Sequence, residues 1–308
     1  MTSVCPPAVR SAKLPRMRAI AANTALLCLL LALAACATAP THPPVWVVKD
    51  KDSTITLFGS VHLLPPGVNW RPPALTQALS SADDVWFETQ MDTAGLAAAT
   101  RAAQDHAYLP EGGHLLLLLS GKGRQRLDRA AKTLDLEIDQ LDRMQPWYAE
   151  LMIQASVFQK LGVQASDGVE EQLWSGLSPG AKRVALETPA EQVGFFADAP
   201  MKDQVASLEE TLTEIDHAQR DYQDLLKAWL DGDVDRLNKH EVQPLRKAAP
   251  GLYARVVQQR NARWVEALLA RLKGSGNTVV VVGMGHLVGP DGLPAQLRAH
   301  GYEVEGPR

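Results

Sequence analysis

Cysteine is nearly missing from this 308-residue chain, which has only Cys5, Cys28 and Cys36. Two of these fall inside the N-terminal leader described below, so a single thiol would remain in the processed protein. That leaves no disulfide framework and no thiol nucleophile, and excludes cysteine hydrolases and dithiol redox enzymes. Excess basic charge is also lacking. The formal net charge is −4, and without the four basic residues of the leader 27 remain against 35 acidic ones, giving −8. A nucleic-acid partner calls for a basic footprint, so none is expected. There is no Gly-x-Ser-x-Gly, no His-Glu-x-x-His and no phosphate loop, so serine hydrolases, zincins and nucleotide enzymes have no motif support.

The one extended apolar run is at the start. Residues 1–35 carry Arg10, Lys13, Arg16 and Arg18 and no acidic residue, and the apolar stretch Ala19 to Ala35 is broken only by Asn23 and Thr24. A basic start, an apolar centre and small residues before a cleavage point make a secretory leader. Here the small residues run directly into cysteine, as Leu33-Ala34-Ala35-Cys36, the pattern of a bacterial lipoprotein box. Cleavage before Cys36 and lipidation of its thiol are expected, with Ala37 rather than aspartate next to it favouring the outer membrane over the inner. A plain signal anchor is the alternative, although the run is marginal against the roughly 20 residues that a span requires. Met17 begins a shorter leader and could be the true start in place of Met1. The expected organisation is a signal peptide over 1–35, an Ala/Thr/Pro tether over 36–44 and one domain over 45–308, held in the periplasm by its lipid alone.

Within that domain two distant tetrapeptides share one form, Gly59-Ser60-Val61-His62 and Gly283-Met284-Gly285-His286. Each follows a β-type apolar run, Ile55 to Phe58 and Val279 to Val282. Val45–Val48 and Thr54–Phe58 read as a hairpin, and Asp84–Glu88 and Arg183–Leu186 as short strands, the second running into Glu187. Helical spacing marks Pro73–Ser81, the faces Leu127/Ala130/Ala131/Leu134 and Trp147/Leu151/Ala155/Phe158, the run from Lys202 to Leu230, Gly251–Lys273 and Leu293–Ala299. Leu115 to Leu119 reads as a short buried segment. Strands alternating with helices make crossovers, and crossovers make neighbouring strands parallel. His62, Glu88, Glu187 and His286 would then gather at one sheet edge, outside the carboxyl ends of the strands where ligands of such sheets bind.

Two histidines and two carboxylates are a plausible ligand set for a divalent transition ion, Zn, Mn or Co, with water activated for hydrolysis and a free glutamate to move the proton. Without metal, a histidine–glutamate pair could serve as a general base; a turn-capping role for either histidine is the bland alternative. A shared mononuclear site requires His62, Glu88 and His286 within about 10 Å of one another, because ligand bonds are only about 2 Å. Arg260-Asn261, beside the apolar face Val256/Val257/Val265/Leu268, could face the site or solvent. His42, His106, His114, His217, His240 and His300 stand among polar residues and are expected at the surface. Glu170-Glu171 is read as an acidic helix start.

The chain resembles the TraB/GumN family, which includes PrgY and the animal Tiki proteins. The resemblance spans nearly all of the processed chain through ordered blocks: Leu57–Pro65, Ala82–Glu88, Leu186-Glu187-Thr188 with Gln192, Arg260-Asn261 with Trp264, Gly283–Gly289 and Gly301–Val304. It implies an α+β fold related to erythromycin esterases and ChaN-like proteins: a central mixed sheet, mainly parallel, flanked by helices and carrying a helical insertion. Tiki proteins are described as divalent-metal-dependent proteases using two Gly-x-x-His motifs and a glutamate, which correspond to His62, His286 and Glu88 here. Arg260 and Asn261 match a polar pair that the family shares. Ser60 and Met284 stand where Thr and Ala are expected, without changing the spacing. The resemblance thus implies a Tiki-like metal-dependent hydrolase of peptides or another small substrate. A metal-free esterase-like hydrolase and a non-catalytic binder of peptide or envelope components are the alternatives.

Overall fold

The computed structural model describes residues 42–307. The leader, Cys36 and most of the tether lie outside the described residues; of the tether, His42 to Pro44 are described, with Pro43 and Pro44 buried and His42 N–H donating to Leu230 C=O at 2.7 Å.

Six strands form one mixed sheet: β1 (Val45–Lys49), β2 (Ser53–Ser60), β3 (Asp84–Phe87), β4 (Lys182–Ala185), β5 (Gly276–Gly283) and β6 (Val304–Glu305). Their spatial order is β4-β3-β5-β2-β1-β6. β1 pairs antiparallel with β2, as the hairpin reading requires, and β6 pairs antiparallel with β1. The β2–β5, β5–β3 and β3–β4 pairs are all parallel, so the carboxyl ends of four strands share one edge. β2 and β5 are central and mostly buried, which fits near-continuous apolar runs such as Val279–Val282 covered on both faces.

Helices flank the sheet: α1 (Pro73–Ser80), α2 (Thr93–Asp105), α3 (Gly121–Leu134), α4 (Pro146–Lys160), α5 (Val169–Gly176), α6 (Pro189–Ala197), α7 (Met201–Glu214), α8 (Ala218–Asp231), α9 (Arg260–Leu272) and α10 (Leu293–Ala299). Among the described residues no helix is long and apolar enough to cross a membrane. The fold is α+β, with a helical insertion between β3 and β4 whose apolar cluster around Leu115, Leu127 and Ile153 is completed by Leu208 and Leu212 of α7.

Three readings from sequence need adjusting. The apolar run from Lys202 to Leu230 is broken by a turn of 3₁₀ helix at Ile215–His217. The two halves serve different cores: Leu208 and Leu212 enter the insertion's cluster, whereas Ala228 and Trp229 enter the sheet's. Leu115–Leu119 is only partly buried, with Leu117 75% and Leu118 39% exposed. The run after Gly251 is helical but not uniform, because Ala254–Gln259 is wound as π-helix immediately before α9.

The carboxyl end of β2 is fixed from below. Trp229 Nε1–H donates to Gly59 C=O at 2.9 Å, and Phe58, Trp70 and Trp229 pack ring against ring. Gly59 leaves room for a close approach: a Cβ there would overlap the thioether end of Met284 and press on Leu287 Cδ1 at 3.2 Å. The first motif therefore makes room for the buried methionine of the second, and the two segments are packed into each other.

Candidate functional site

The four strand-end residues singled out from sequence do gather at the parallel edge, but as two pairs of unlike character. His62 lies just past β2, where its Nδ1 is 2.7 Å from Glu170 Oε1 and its side chain is 71% exposed. Glu170, in the first turn of α5, is buried and also accepts from the Ser60 hydroxyl. Burial alone would lift the Glu170 carboxyl, but the His62 charge and the bonds from His62 and Ser60 outweigh it and hold the group below its ordinary value. The charge of Glu170 in turn pushes the His62 imidazole up to about 10, helped by Glu88 and Glu241 against the cost of its surroundings. Water access to the ring moderates that shift, yet its direction follows from three carboxylates and no close cation.

His286 has the opposite environment. It is buried, and its Nδ1 is 2.7 Å from Asn261 Oδ1 while its Nε2 is 2.9 Å from Arg260 Nη1. A guanidinium can only donate, so Nε2 accepts and the ring's proton sits on Nδ1, donated to Asn261. Asn261 Nδ2 is spent on the carbonyls of His286 and Asp291, which fixes its oxygen toward the ring. Desolvation drives the His286 pKa down to about 3, with Arg260 assisting against the pull of Glu88. His286 is therefore neutral.

Arg260 and Asn261 are buried, 4% and 0% exposed, and face the site rather than solvent. Every guanidinium nitrogen of Arg260 is engaged: Nε with both oxygens of Glu187, Nη1 with Val256 C=O and His286, and Nη2 with Glu88 at 2.6 Å and Glu187 at 2.9 Å. The Trp264 and Phe195 rings lie over its face at 4.7 and 5.2 Å from their centroids. With no donor left over, Arg260 acts here as a hub that fixes two carboxylates and a histidine. Glu187 is held by Arg260 and, at 2.8 Å, by Arg263, so its oxygens are turned to guanidinium groups. Glu88 accepts from Gly283 N–H at 2.6 Å and from Gln192 at 3.2 Å as well as from Arg260. Burial would raise its pKa, but Arg260, the two histidines and the Gly283 bond bring it to about 2.

Gly283 marks where these groups converge. The position a Cβ would take is 3.1 Å from Glu88 Oε1, 3.7 Å from His62 Nε2 and 3.8 Å from His286 Cδ2. Any two of those atoms therefore lie within 7.5 Å, the sum of the two longer distances, inside the limit for a common site. Glycine at this position leaves the space between them open.

Two members of the cluster carry no sequence motif. Glu170 was read only as a helix-start acid, although Ser60 at the end of β2 and His62 two residues on both meet it. Glu241 is on a π-helical stretch, Asn238–Val242, with Oε1 3.4 Å from the Cβ position of Gly285. The low-dielectric protein around it and the charges of Glu170 and Glu88 push its pKa up to about 7, while His62 pulls it down. It is exposed on the same open side as His62. π-Turns in α-helices recur at functional sites; Glu241 lies within one and Arg260 directly follows another. The remaining six histidines are all exposed, as expected.

A divalent ion would find suitable donor chemistry here. Glu170 and Asn261 each hold the Nδ1 of a histidine, the second-shell arrangement that orients metal-ligating imidazoles. Four carboxylates, Glu88, Glu170, Glu187 and Glu241, face two guanidiniums, Arg260 and Arg263. The raised His62 pKa is what such an excess of negative charge produces, and a cation would relieve it; Glu241 is raised first by desolvation and only then by the neighbouring carboxylates. Among the described residues no three His, Cys, Asp or Glu side chains are already arranged about one point as ligands, and Arg260 Nη1 is on the His286 lone pair.

A mixed sheet flanked by helices, with a polar cluster at the carboxyl edge of its four parallel strands, defines an α+β protein. The chain belongs to the TraB/PrgY/gumN family, whose model matches residues 44–306. It is similar to the uncharacterized protein YbaP of Escherichia coli (strain K12), 26% identical over 259 residues covering 84% of this chain and 93% of that protein. YbaP of Shigella flexneri is 27% identical over the same shares. No solved structure matches the chain.

Proposed function

We propose that the protein is a hydrolase that works at the Gly283 cluster with a divalent ion, Mn, Co or Zn, which His62, Glu88 and His286 would hold, the last by exchanging its Nε2 bond from Arg260 Nη1 for the ion. The observation that carries this is the approach of those three side chains to one open point beside Gly283, with each imidazole oriented through its other nitrogen. The bound ion supplies Lewis acidity, polarising an acyl oxygen and making water more acidic. The chain's own residues do the rest. Glu170 holds the Nδ1 proton of His62, Asn261 that of His286, and Arg260 fixes Glu88 and Glu187. Glu241, near neutral in pKa and open to the cleft, takes and returns the proton. Glu187, bound between Arg260 and Arg263, serves as a positioning carboxylate and not as a ligand.

The substrate class proposed is peptide, by analogy with what the family resemblance implies. The Leu33–Cys36 box supports export, lipidation of Cys36 and attachment to the outer membrane from the periplasmic side. Mass spectrometry of the membrane-extracted protein tests that attachment: an acylated Cys36 at the N-terminus is expected, and an unmodified leader would contradict it.

One observation favours a second reading. The exposed His62 paired to buried Glu170 is a histidine–carboxylate dyad that needs no metal, an acid below its raised pKa of about 10 and a base only above it. Turnover of a quenched-fluorescence peptide library with added Mn, Co or Zn, against chelator, separates the readings. Loss of cleavage in chelator and its return with metal is expected. Chelator-resistant cleavage selects the dyad, and retention of peptide with no cleavage under any condition would make the protein a binder.

A further inference from the structure

A cavity of about 640 Å³ opens directly beside His62. We propose that it is the binding groove for an apolar stretch of an extended peptide, seated so that the next peptide bond reaches the Gly283 cluster; this rests on the hydrolase reading above. One wall is α4, which is apolar on two sides. Ala149 and Ile153 are buried in the insertion's core, while Leu151, Ala155 and Phe158, spaced by four and three residues, line the groove. Leu151 is 47% exposed there, an apolar face with nothing packed on it at the edge of a polar site. Val163 and Leu63 continue the lining toward His62.

The groove is built in advance of any ligand. Tyr222 OH donates to Leu63 C=O at 3.0 Å and its ring meets Phe158 edge-on at 5.7 Å, so one residue fixes both the floor and the segment leading to His62. Leu64 and Gln164 pair as an isolated bridge, and Val169 N–H donates to Val61 C=O, tying that segment to the opposite wall.

The occupant's chemistry follows from the lining. Among the lining residues there is no Lys, Arg, Asp or Glu, and the charge present is the His62 imidazolium at one end, so along the rest of the groove a charged ligand finds no counter-charge. Three glutamines, Gln154, Gln159 and Gln164, stand around the apolar surface. A carboxamide both donates and accepts, which matches the alternating N–H and C=O groups of peptide backbone, whereas a hydrocarbon tail offers such groups nothing. The volume is in the ordinary range of small-ligand sites, roughly 300–1,000 Å³.

The test is fluorescence anisotropy on the full chain. The probes are a dansylated pentapeptide with leucine, phenylalanine and leucine between glycines, and its counterpart with serine at the three apolar positions. The apolar peptide is expected to bind, and Leu151→Gln and Ala155→Arg each to weaken it roughly tenfold, the scale of one lost apolar contact of this size. Both positions are exposed, so folding is not at stake, and circular dichroism verifies it. Leu117→Gln, at a leucine 75% exposed elsewhere, should bind as the parent does. Equal binding of the serine peptide, unchanged affinity in both groove variants, or stronger displacement by dodecanoate than by unlabelled peptide would overturn the proposal. Failure of the two readings is distinguishable. Peptide bound in the groove but never cleaved would remove the hydrolase and leave the groove. Cleavage with unchanged KM in Leu151→Gln would remove the groove and leave the hydrolase.

Discussion

The two Gly-x-x-His segments end neighbouring parallel strands one residue out of step, Ser60 beside Gly283, and their histidines are opposites. His62 is exposed, faces a carboxylate and holds a proton; His286 is buried, faces an amide and a guanidinium and is neutral. The tetrapeptide decides only where the imidazole is placed. Its charge is decided by what other elements bring: α5 brings Glu170 to one ring, and α9 brings Asn261 and Arg260 to the other. A repeated motif can thus supply two unlike halves of one site.

The largest expected effect comes from removing the hub that divides the halves. Arg260→Leu strands two buried carboxylates, Glu88 and Glu187, and should cost about 3–5 kcal/mol, the scale for breaking a buried ion pair on one side. Urea denaturation measures it; a loss below about 1 kcal/mol would mean that those carboxylates are not held as described.

Catalysis separates the halves next. Glu241→Gln is expected to lower kcat by about 10²-fold, the lower range for general acid–base catalysis, while metal content and stability stay unchanged. An unaltered kcat–pH profile would remove Glu241 from the proton path.

A smaller effect tests the packing of one motif into the other. Gly59→Ala would drive a methyl group into Met284 and should cost about 1–3 kcal/mol, the usual price of overpacking a core. Gly59→Ala combined with Met284→Ala should recover part of that loss in thermal melts, and a purely additive pair would deny the contact.

The mildest and most specific contrast is in pH. The His62 pKa is raised above its ordinary 6.5, so the stability it contributes is complete below 6.5 and is lost as pH rises toward about 10. The His286 pKa is depressed, so its contribution is complete above 6.5 and is lost as pH falls toward about 3. Imidazole NMR titration of the metal-free chain should find His62 still protonated at neutral pH and His286 still neutral at pH 5. Glu170→Gln should bring His62 back down and leave His286 unmoved. Identical titrations for both rings would erase the distinction.

Much of this edge was legible in the chain. Apolar runs ending in Gly-x-x-His or in a carboxylate, separated by helices, led to parallel strands with His62, Glu88, Glu187 and His286 at one end, as the topology has them. The side of α9 was not legible from the residues alone: Arg260 and Asn261 stand beside the apolar face Val256/Val257/Val265/Leu268 and could as well have met solvent, and it was the family resemblance that pointed them to the site, where the structure buries both. Glu170 and Glu241 were not legible. Each looks like an ordinary helix acid, and its function depends on a contact across more than a hundred residues with the motif at His62. The π-winding that holds Glu241 and precedes Arg260 was likewise not read from the sequence.

The joint use of both halves is tested most directly by the metal content of the purified chain, measured beside His62→Ala and His286→Ala after equal exposure to Mn, Co and Zn. Close to one ion per chain in the parent and a strong loss in both variants is the expected result. Equal content in all three would contradict a shared site at the paired strand ends.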